Sequence, residues 1–431
     1  CVLQCGPAGE NRVSFACLLC DLSNVAGRTG MGAVFGAKNL RAVLIEGSGQ
    51  RDFANPKGLK ELASAAVKRL PDTELPAVLK KHGTPGVLGF HARAGNLATR
   101  NYSRSFHPEF DKLDGENLTR LMGAGETTCY ACTVRCRKKV RTEGAHPVGD
   151  RLGGPEFETL GLLGSNLDIT DPEAVAAANQ LCNDLGLDTI TMGGLAGYLF
   201  EALQKKAIDR DAVQGRSLGF GDVEGLLWLI ERTARRQGVG EVLAGGFEAA
   251  VAHFGKKTER FAVHVKNHGL AVHMPQVKPS LAVIYAACPI GADHMSSEHD
   301  WLLASHSELG RALGIFGPGD AHSTDLAKVR MAVYSQYYYS ALDALALCMF
   351  CWGPGSLFSY RELEDLVRYA TGWEFTLWEL MKVGERRVNM MRQLNARRGF
   401  GKAQDRLPPR LFRPLPDGPR KGHRVDRRRF R

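Results

Sequence analysis

Cys129-Tyr-Ala-Cys132-Thr-Val-Arg-Cys136 carries three thiols at C-x2-C-x3-C spacing. Between Cys20 and Cys348 the only other cysteines are the single residues Cys182 and Cys288. Such a run lets one loop supply three corners of a metal cluster and leaves the fourth to a remote residue. Cys348, in Asp343-Ala-Leu-Ala-Leu-Cys348-Met-Phe-Cys351, is the remote candidate. An iron–sulfur cluster wants four thiolates, and tetrahedral zinc takes the same set, so local spacing leaves both open. Plain core packing fits less well. Packing cysteines rarely gather at ligand spacing beside cations such as Arg135, Arg137, Lys138 and Lys139.

Composition bounds what such a loop can serve. The chain has 431 residues, 44% of them hydrophobic and 24% charged, enough for two or three domains with cores of their own. Eleven cysteines in a chain of this length, unevenly spread, point to metal ligation in a reducing compartment, and so to a cytoplasmic protein. No apolar run reaches the ~18 residues of a membrane span. The sequence starts at Cys1 inside what reads as a continuing domain, so an earlier part of the protein is expected to precede it. The net charge is +10, but residues 410–431 alone contribute +7, with nine Arg/Lys against Asp417 and Asp426. The remainder is nearly neutral and carries no nucleic-acid-binding motif. The basic tail reads as a solvated end or as a docking surface for an acidic partner.

Residues 1–54 read as the end of a β-rich domain. Gly6-Pro-Ala-Gly-Glu-Asn11 is a turn cluster, and the glycine-rich segment Gly27–Asn39, with Arg28 and Lys38, precedes a short apolar strand. Glycines with two cations suit a phosphate cradle, and a tight structural turn explains them equally well. Cys1, Cys5, Cys17 and Cys20 could form a second metal site, but the apolar run Val13–Leu22 favours core packing. Residues 55–262 read as mainly helical. Asn55-Pro56 and Asp171-Pro172 are helix starts, Gly186 is a stop, and Asp188-Thr189 opens the next helix. A strand-like piece, Phe261–Lys266, marks a boundary before a second mainly helical domain, 263–431. There Thr324-Asp325 caps a long helix that delivers Cys348 near its C-terminal end. The fold class is therefore α+β.

Several of these segments together resemble the tungsten-containing aldehyde ferredoxin oxidoreductases. Gly6–Asn11 looks like that family's opening turn, and Ala26–Ala42 like its pterin-side glycine segment. Cys129–Cys136 is similar to its cluster loop. Gly154-Pro-Glu-Phe-Glu-Thr159 with Leu163-Gly-Ser-Asn166 follows it in the family's order. Leu185–Ile190 and Asp343–Cys348 resemble its two D-x-x-G-L-[DC] pterin segments, and Gly291-Ala-Asp-His294 its active-site histidine loop. The match runs through nearly the whole chain and lacks roughly the first quarter of such a protein.

The resemblance implies tungsten or molybdenum held by two pterin dithiolenes, one [4Fe-4S] cluster, and a magnesium ion bridging the pterin phosphates. It places Cys129, Cys132, Cys136 and Cys348 on the cluster, with Cys351 a bystander. Glu158 and His294 would stand at the metal as catalytic groups. Without the resemblance, Glu158 reads as a helix-start carboxylate and His294 as a packed loop histidine. Arg28, Asn183, Leu187, Asp188, Asp343 and Leu347 would line the pterins. Three positions depart from the family pattern. Asn183 replaces an aspartate, and Ala346 and Thr29 replace glycines. The implied reaction is oxidation of an aldehyde to an acid, with electrons leaving to ferredoxin or to a separate iron–sulfur or flavin subunit. Reduction of an aromatic acyl-thioester by a member of the same family is the alternative enzyme. An iron–sulfur or zinc protein without pterin is the non-enzymatic one, and it would not need Glu158, His294 and Arg28. Nothing in the sequence sets the oligomeric state.

Overall fold

In the computed structural model, which describes residues 1–430, the chain opens with a four-stranded antiparallel sheet. β1 (Val2–Cys5) lies between β2 (Leu18–Cys20) and β4 (Ala42–Leu44), and β3 (Asn24–Ala26) pairs with the outer side of β2. The register sets Leu3 against Cys20 on one side and Val43 on the other. The glycine turn packs directly on the Met31–Ala37 helix, and a Cβ at Gly36 would lie 1.8 Å from the Gly9 carbonyl oxygen. Here, then, the glycines of residues 27–39 serve close backbone packing. The four early cysteines divide. Cys5 and Cys17 are buried, while Cys1 is exposed with its sulfur 3.3 Å from that of Cys20.

The helices longer than ten residues open on side-chain caps. Asn55 accepts from the Gly58 N–H at 2.9 Å and opens Pro56–Arg69. Asp171 opens Pro172–Leu185, which Gly186 ends at φ +77°. Asp188 then accepts from the N–H groups of Ile190 and Thr191 and opens Thr189–Gln204. Caps of this kind contribute about 1 kcal/mol each. Asp325 opens Leu326–Ala344, and complete capping boxes open Tyr360–Thr371 and Leu377–Arg397.

The sheet is stitched to these helices at one point. The Cys17 N–H donates to the Gly186 carbonyl at 2.9 Å, and the Asp188 N–H to Phe15 at 3.2 Å. A Cβ at Gly6 would lie 2.5 Å from the Leu185 carbonyl oxygen, so only glycine lets the opening turn reach the helix end. This seam carries Asp188 to the glycine-rich segment.

Two large cores result. The first runs from Ala8 and Phe15 through the helices of 157–250 to Leu270–Ala292 and Leu407–Val425. The second gathers Leu302, Met331, Tyr338, Trp352, Leu363 and Leu380. Residues 263–292 therefore pack with the first core. In place of one strand over 261–266 there is a tight turn, Lys256–Phe261, and a two-stranded ribbon, His264–Val265 with His268–Gly269.

The basic tail also departs from the expected solvated end. Leu411, Leu415 and Val425 are buried in the first core, and Arg410 is itself buried, 2.8 Å from Glu201. Arg420 donates to the Ala94 carbonyl, and Asp417 pairs with Arg104. Arg413, Lys421, Arg424, Arg427 and Arg428 stay exposed. Among the described residues no helix is long and apolar enough to cross a membrane.

Candidate active site

Glu158 sits in an irregular stretch. A single turn, Phe157–Thr159, passes into a π-helical turn, Leu160–Gly164. Such turns break the regular ladder and re-aim side chains, often at functional sites. Gly161 permits the geometry, because a Cβ there would come within 2.2 Å of Val272. The close approach lets the Val272 N–H donate to Glu158 Oε2 at 2.7 Å. One carboxylate oxygen is thus fixed by backbone. The other, Oε1, is buried without a hydrogen-bond partner and lies 3.4 Å from His294 Nε2 and 3.6 Å from His273 Nε2.

The tautomer of His273 follows from its other side. Asn96 Oδ1 accepts from the Met274 N–H at 2.7 Å, which fixes the amide orientation. Asn96 Nδ2 must then donate to His273 Nδ1, at 2.9 Å. The proton of neutral His273 therefore resides on Nε2, facing Glu158. Burial holds His91, His273 and His299 well below the ordinary histidine range, and the cation of Lys278 adds to it. The rings of His91, His294 and His299 all lie within 5.4 Å of His273, centroid to centroid. Sequence reading singled out Glu158 and His294 and missed Asn96 as a member of the site. No spacing rule connects residues 96, 158, 273 and 299.

Arg28 crosses between the sheet domain and this site. It donates to the carbonyls of Ala292, at 2.7 Å, and Gly269, and its Nε stands 3.6 Å from Asp188. Those two carbonyls belong to the loop before His294 and to the His268–Gly269 ribbon. Asp293 is held below the usual carboxylate range. Burial pushes it up, but His294 and Arg28 outweigh burial. Arg28, Asn183, Leu187 and Asp188 line one cleft of about 180 Å³ that also reaches Glu158. Asn183 contributes its amide there, donating to the Gly153 carbonyl at 3.5 Å. Asp343, in the last turn of the Leu326–Ala344 helix, and Leu347, just past its end, are not among the residues lining that cleft. Asp343 is exposed and paired with Arg387 at 3.1 Å. Thr29 and Ala346, which replace glycines of the family pattern, both adopt left-handed backbone, at φ +72° and +55°. The chain keeps the glycine conformation and carries a strain of roughly 1 kcal/mol at each.

The Cys129–Cys136 loop follows the β-ribbon strand Gly123–Thr127 and leads into its partner, Arg137–Val140. Cys129, Cys132, Cys136 and Cys348 come into one neighbourhood. Burial raises the Cys136 thiol to about 12, with Glu156, Cys348 and Cys129 adding to it. Burial likewise raises Cys348, which feels Cys132 and Cys129. Cys351 is also present, its sulfur 4.0 Å from that of Cys132. Cys348 precedes the short Met349–Trp352 helix and follows the end of Leu326–Ala344 by four residues. The long helix therefore aims the segment, and a turn delivers the thiol.

The buried atoms Arg28 Nε, Glu158 Oε1 and His294 Nδ1 have no hydrogen-bond partner in the protein and gather around Glu158. Buried polar atoms are normally satisfied. The Arg28 guanidinium, with one N–H unmet, suits an anionic, polar cofactor such as a metal dithiolene. The residues present fit the group.

Comparison with known proteins bears on the same assignment. Residues 1–47 match the family model of the aldehyde ferredoxin oxidoreductase N-terminal domain, and residues 61–431 that of aldehyde ferredoxin oxidoreductase domains 2 and 3. The chain is 31% identical over 429 residues to a tungsten-containing aldehyde ferredoxin oxidoreductase of Pyrococcus furiosus, covering 98% of this chain and 68% of that protein. It is 27% identical over 443 residues to an aliphatic sulfonate oxidoreductase, WOR-like subunit, of the same organism, covering 99% of this chain and 65% of that one. In fold it matches the active-site complex of a benzoyl coenzyme A reductase, with a TM-score of 0.78 at 19% identity over 95% of this chain and 67% of that one. Matched by both family models and by relatives over almost its whole length, the chain belongs to the aldehyde ferredoxin oxidoreductase family and is an oxidoreductase with tungsten-enzyme relatives.

Proposed function

We propose that this chain oxidises aldehydes to carboxylic acids at a tungsten bis-pterin centre and passes the electrons through a [4Fe-4S] cluster to a separate carrier. The observation that carries the reading is the Glu158 carboxylate. One oxygen is fixed by a backbone N–H, and the other is buried, unpartnered and faced by two histidines.

The reaction takes one water and one aldehyde to an acid, releasing two electrons and two protons. When bound, the metal dithiolene supplies the two-electron acceptor and Lewis acidity. The chain does the rest. Arg28 and Asp188, with Asn183 and Leu187, would hold one pterin in their cleft, and Asp343 with Leu347 the other. Glu158 Oε1 takes a proton from the attacking water. His273 presents its Nε2–H to the same oxygen and orients it. His294, through its free Nδ1, lies ready to hydrogen-bond the carbonyl oxygen as negative charge develops there. The rings of His91, His273 and His299 keep bulk water out. Cys129, Cys132, Cys136 and Cys348 would hold the cluster.

Beside the cluster loop, Lys80, Lys81, Lys138 and Lys139 line a concavity of about 290 Å³. That basic face suits an acidic ferredoxin-type carrier or a partner iron–sulfur or flavin subunit.

The test is Glu158→Gln in protein prepared without oxygen. It should retain tungsten and iron and lose aldehyde oxidation by about 10²–10⁴-fold, the usual contribution of a general base. Unchanged turnover would remove Glu158 from the base role. A preparation with zinc and no iron or tungsten would remove the reading itself.

A further inference from the structure

Lys278 is a cation with no carboxylate of its own. It precedes the Pro279–Ala287 helix and lies deep in the molecule, yet it keeps part of its surface open while His273 and Ser280 beside it are buried. Its ammonium donates to His299 Nδ1 at 2.7 Å and makes no ion pair among the described residues. The other lysines of this region are matched. Lys328 is paired with Asp300, and Lys266 lies 2.8 Å from Asp405.

The nearby acids are committed elsewhere. Asp300 also accepts from the Ser280 N–H and hydroxyl. Glu298 accepts from Tyr339 and from the His299 N–H, and burial raises its pKa, which weakens it as a counter-charge. Glu158 is engaged by Val272 and faced by two histidines. These carboxylates pull the Lys278 pKa upward, but burial outweighs them and brings it down to about 8. The group is thus largely charged at neutral pH, in surroundings that leave the charge unbalanced.

The position of that charge is specific. His299 Nε2 donates to the His294 carbonyl at 3.0 Å, so its Nδ1 is the bare nitrogen that accepts from Lys278. One imidazole therefore separates the ammonium from the backbone of His294, and the His299 ring lies 4.7 Å from that of His273. The Glu158 carboxylate is felt at Lys278, so the ammonium lies within electrostatic reach of the group placed at the reacting carbon.

We propose that Lys278 is a specificity-determining residue that binds an anionic group carried by the substrate, so that the preferred aldehydes bear a carboxylate or sulfonate at the far end of a short chain. This rests on the reading of the site as an aldehyde oxidase.

The test compares aldehydes matched in length on the metal-loaded enzyme: succinic semialdehyde against butyraldehyde, and the sulfonate-bearing analogue as a further arm. A charge-assisted contact predicts that kcat/KM favours an anionic member by about 10–100-fold and that Lys278→Met brings the ratio near unity. Lys278→Arg should restore part of it. The carboxylate and sulfonate arms show which anion the site takes. Succinate binding, followed by calorimetry on wild type and Lys278→Met, gives a readout that needs no turnover and should weaken by a similar factor in the variant. Equal rates for neutral and anionic aldehydes in wild type would overturn the proposal. So would a Lys278→Met enzyme that keeps the preference, or one that loses tungsten, which would assign the lysine to the cofactor. Failure to oxidise any aldehyde, with succinate still bound through Lys278, would instead overturn the functional reading and leave the anion site standing.

Discussion

At the scale of single residues, the site is built by side chains that fix one another's protons. Asn96 is the clearest case, because a backbone N–H that can only donate determines which end of its amide faces His273. Asn96→Asp keeps the acceptor for Met274 and turns the donor toward His273 into a second acceptor. His273 Nδ1 must then carry a proton. The ring becomes either a cation in a place where burial opposes charge, or a bare acceptor at Nε2 facing the Glu158 carboxylate. Both outcomes disturb the base. The expected result is a fall in kcat of tenfold or more with tungsten and iron content preserved, and a displaced acid limb in the pH profile of kcat. An unchanged profile would show that the His273 tautomer does not matter. Asn96 was invisible to sequence reading because it belongs to no spaced motif. Glu158 and His294 were visible only because flanking segments spell a family pattern. Thr29 and Ala346 show the complementary case. The sequence departs from glycine there, and the backbone keeps the left-handed conformation regardless.

At the scale of elements, caps and stops were the legible part. Asn55, Asp171, Asp188 and Asp325 each bond the backbone of the helix they open, as local chemistry requires. The strand at 261–266 was misjudged because a β-rich composition over six residues does not specify a partner, and the chain instead turns at Phe261 and pairs only His264–Val265. The proposed cluster ligands show three thiols at local spacing and leave a choice of fourth. Cys348 caps and Cys351 lies within one short helical turn, so both sulfurs reach the same region, and Cys351 is the one 4.0 Å from Cys132. The assignment to Cys348 rests on its place in the motif with Asp343. It predicts that Cys348→Ser loses the [4Fe-4S] paramagnetic signal and about four irons per chain. Cys351→Ser should retain both. Anaerobic iron analysis with paramagnetic resonance of the reduced protein decides it, and the reverse pattern would move the fourth ligand to Cys351.

At the scale of the whole molecule, the pattern of charge along the sequence misled where its pairing in space informs. A tail of net +7 reads as a free polycation, yet Arg410 is consumed by Glu201 inside the first core. The same logic closes the chain behind the active-site loop. Asp405 accepts from Lys266 at 2.8 Å and from Arg392 at 3.0 Å, joining the His264–Gly269 ribbon to the Leu377–Arg397 helix. Lys266 also donates to the carbonyls of Ala286 and Cys288, and Arg392 to that of Ala287, just before the loop that presents His294. Burial pushes the Asp405 carboxyl up, but the hydrogen bonds from Lys266 and Arg392 win, so its folded pKa lies below the ordinary 3.8. A depressed carboxyl contributes stability that is complete above its unfolded pKa. That stability is lost as pH falls from near 4 through the folded value. Asp405→Asn leaves Lys266, whose side chain is only 7% exposed, without its counter-charge. The variant should lose about 2–3 kcal/mol at neutral pH, somewhat less than the full cost of breaking a buried pair because Asp405 is partly open to solvent. Denaturant unfolding at pH 7 and pH 3.5 tests both statements, since the gap between wild type and variant should narrow at the lower pH as the carboxyl of the unfolded wild-type chain takes up its proton. A gap that holds constant across that interval would show that Asp405 acts through shape and neutral hydrogen bonds, with its charge irrelevant to how the active-site loop is held.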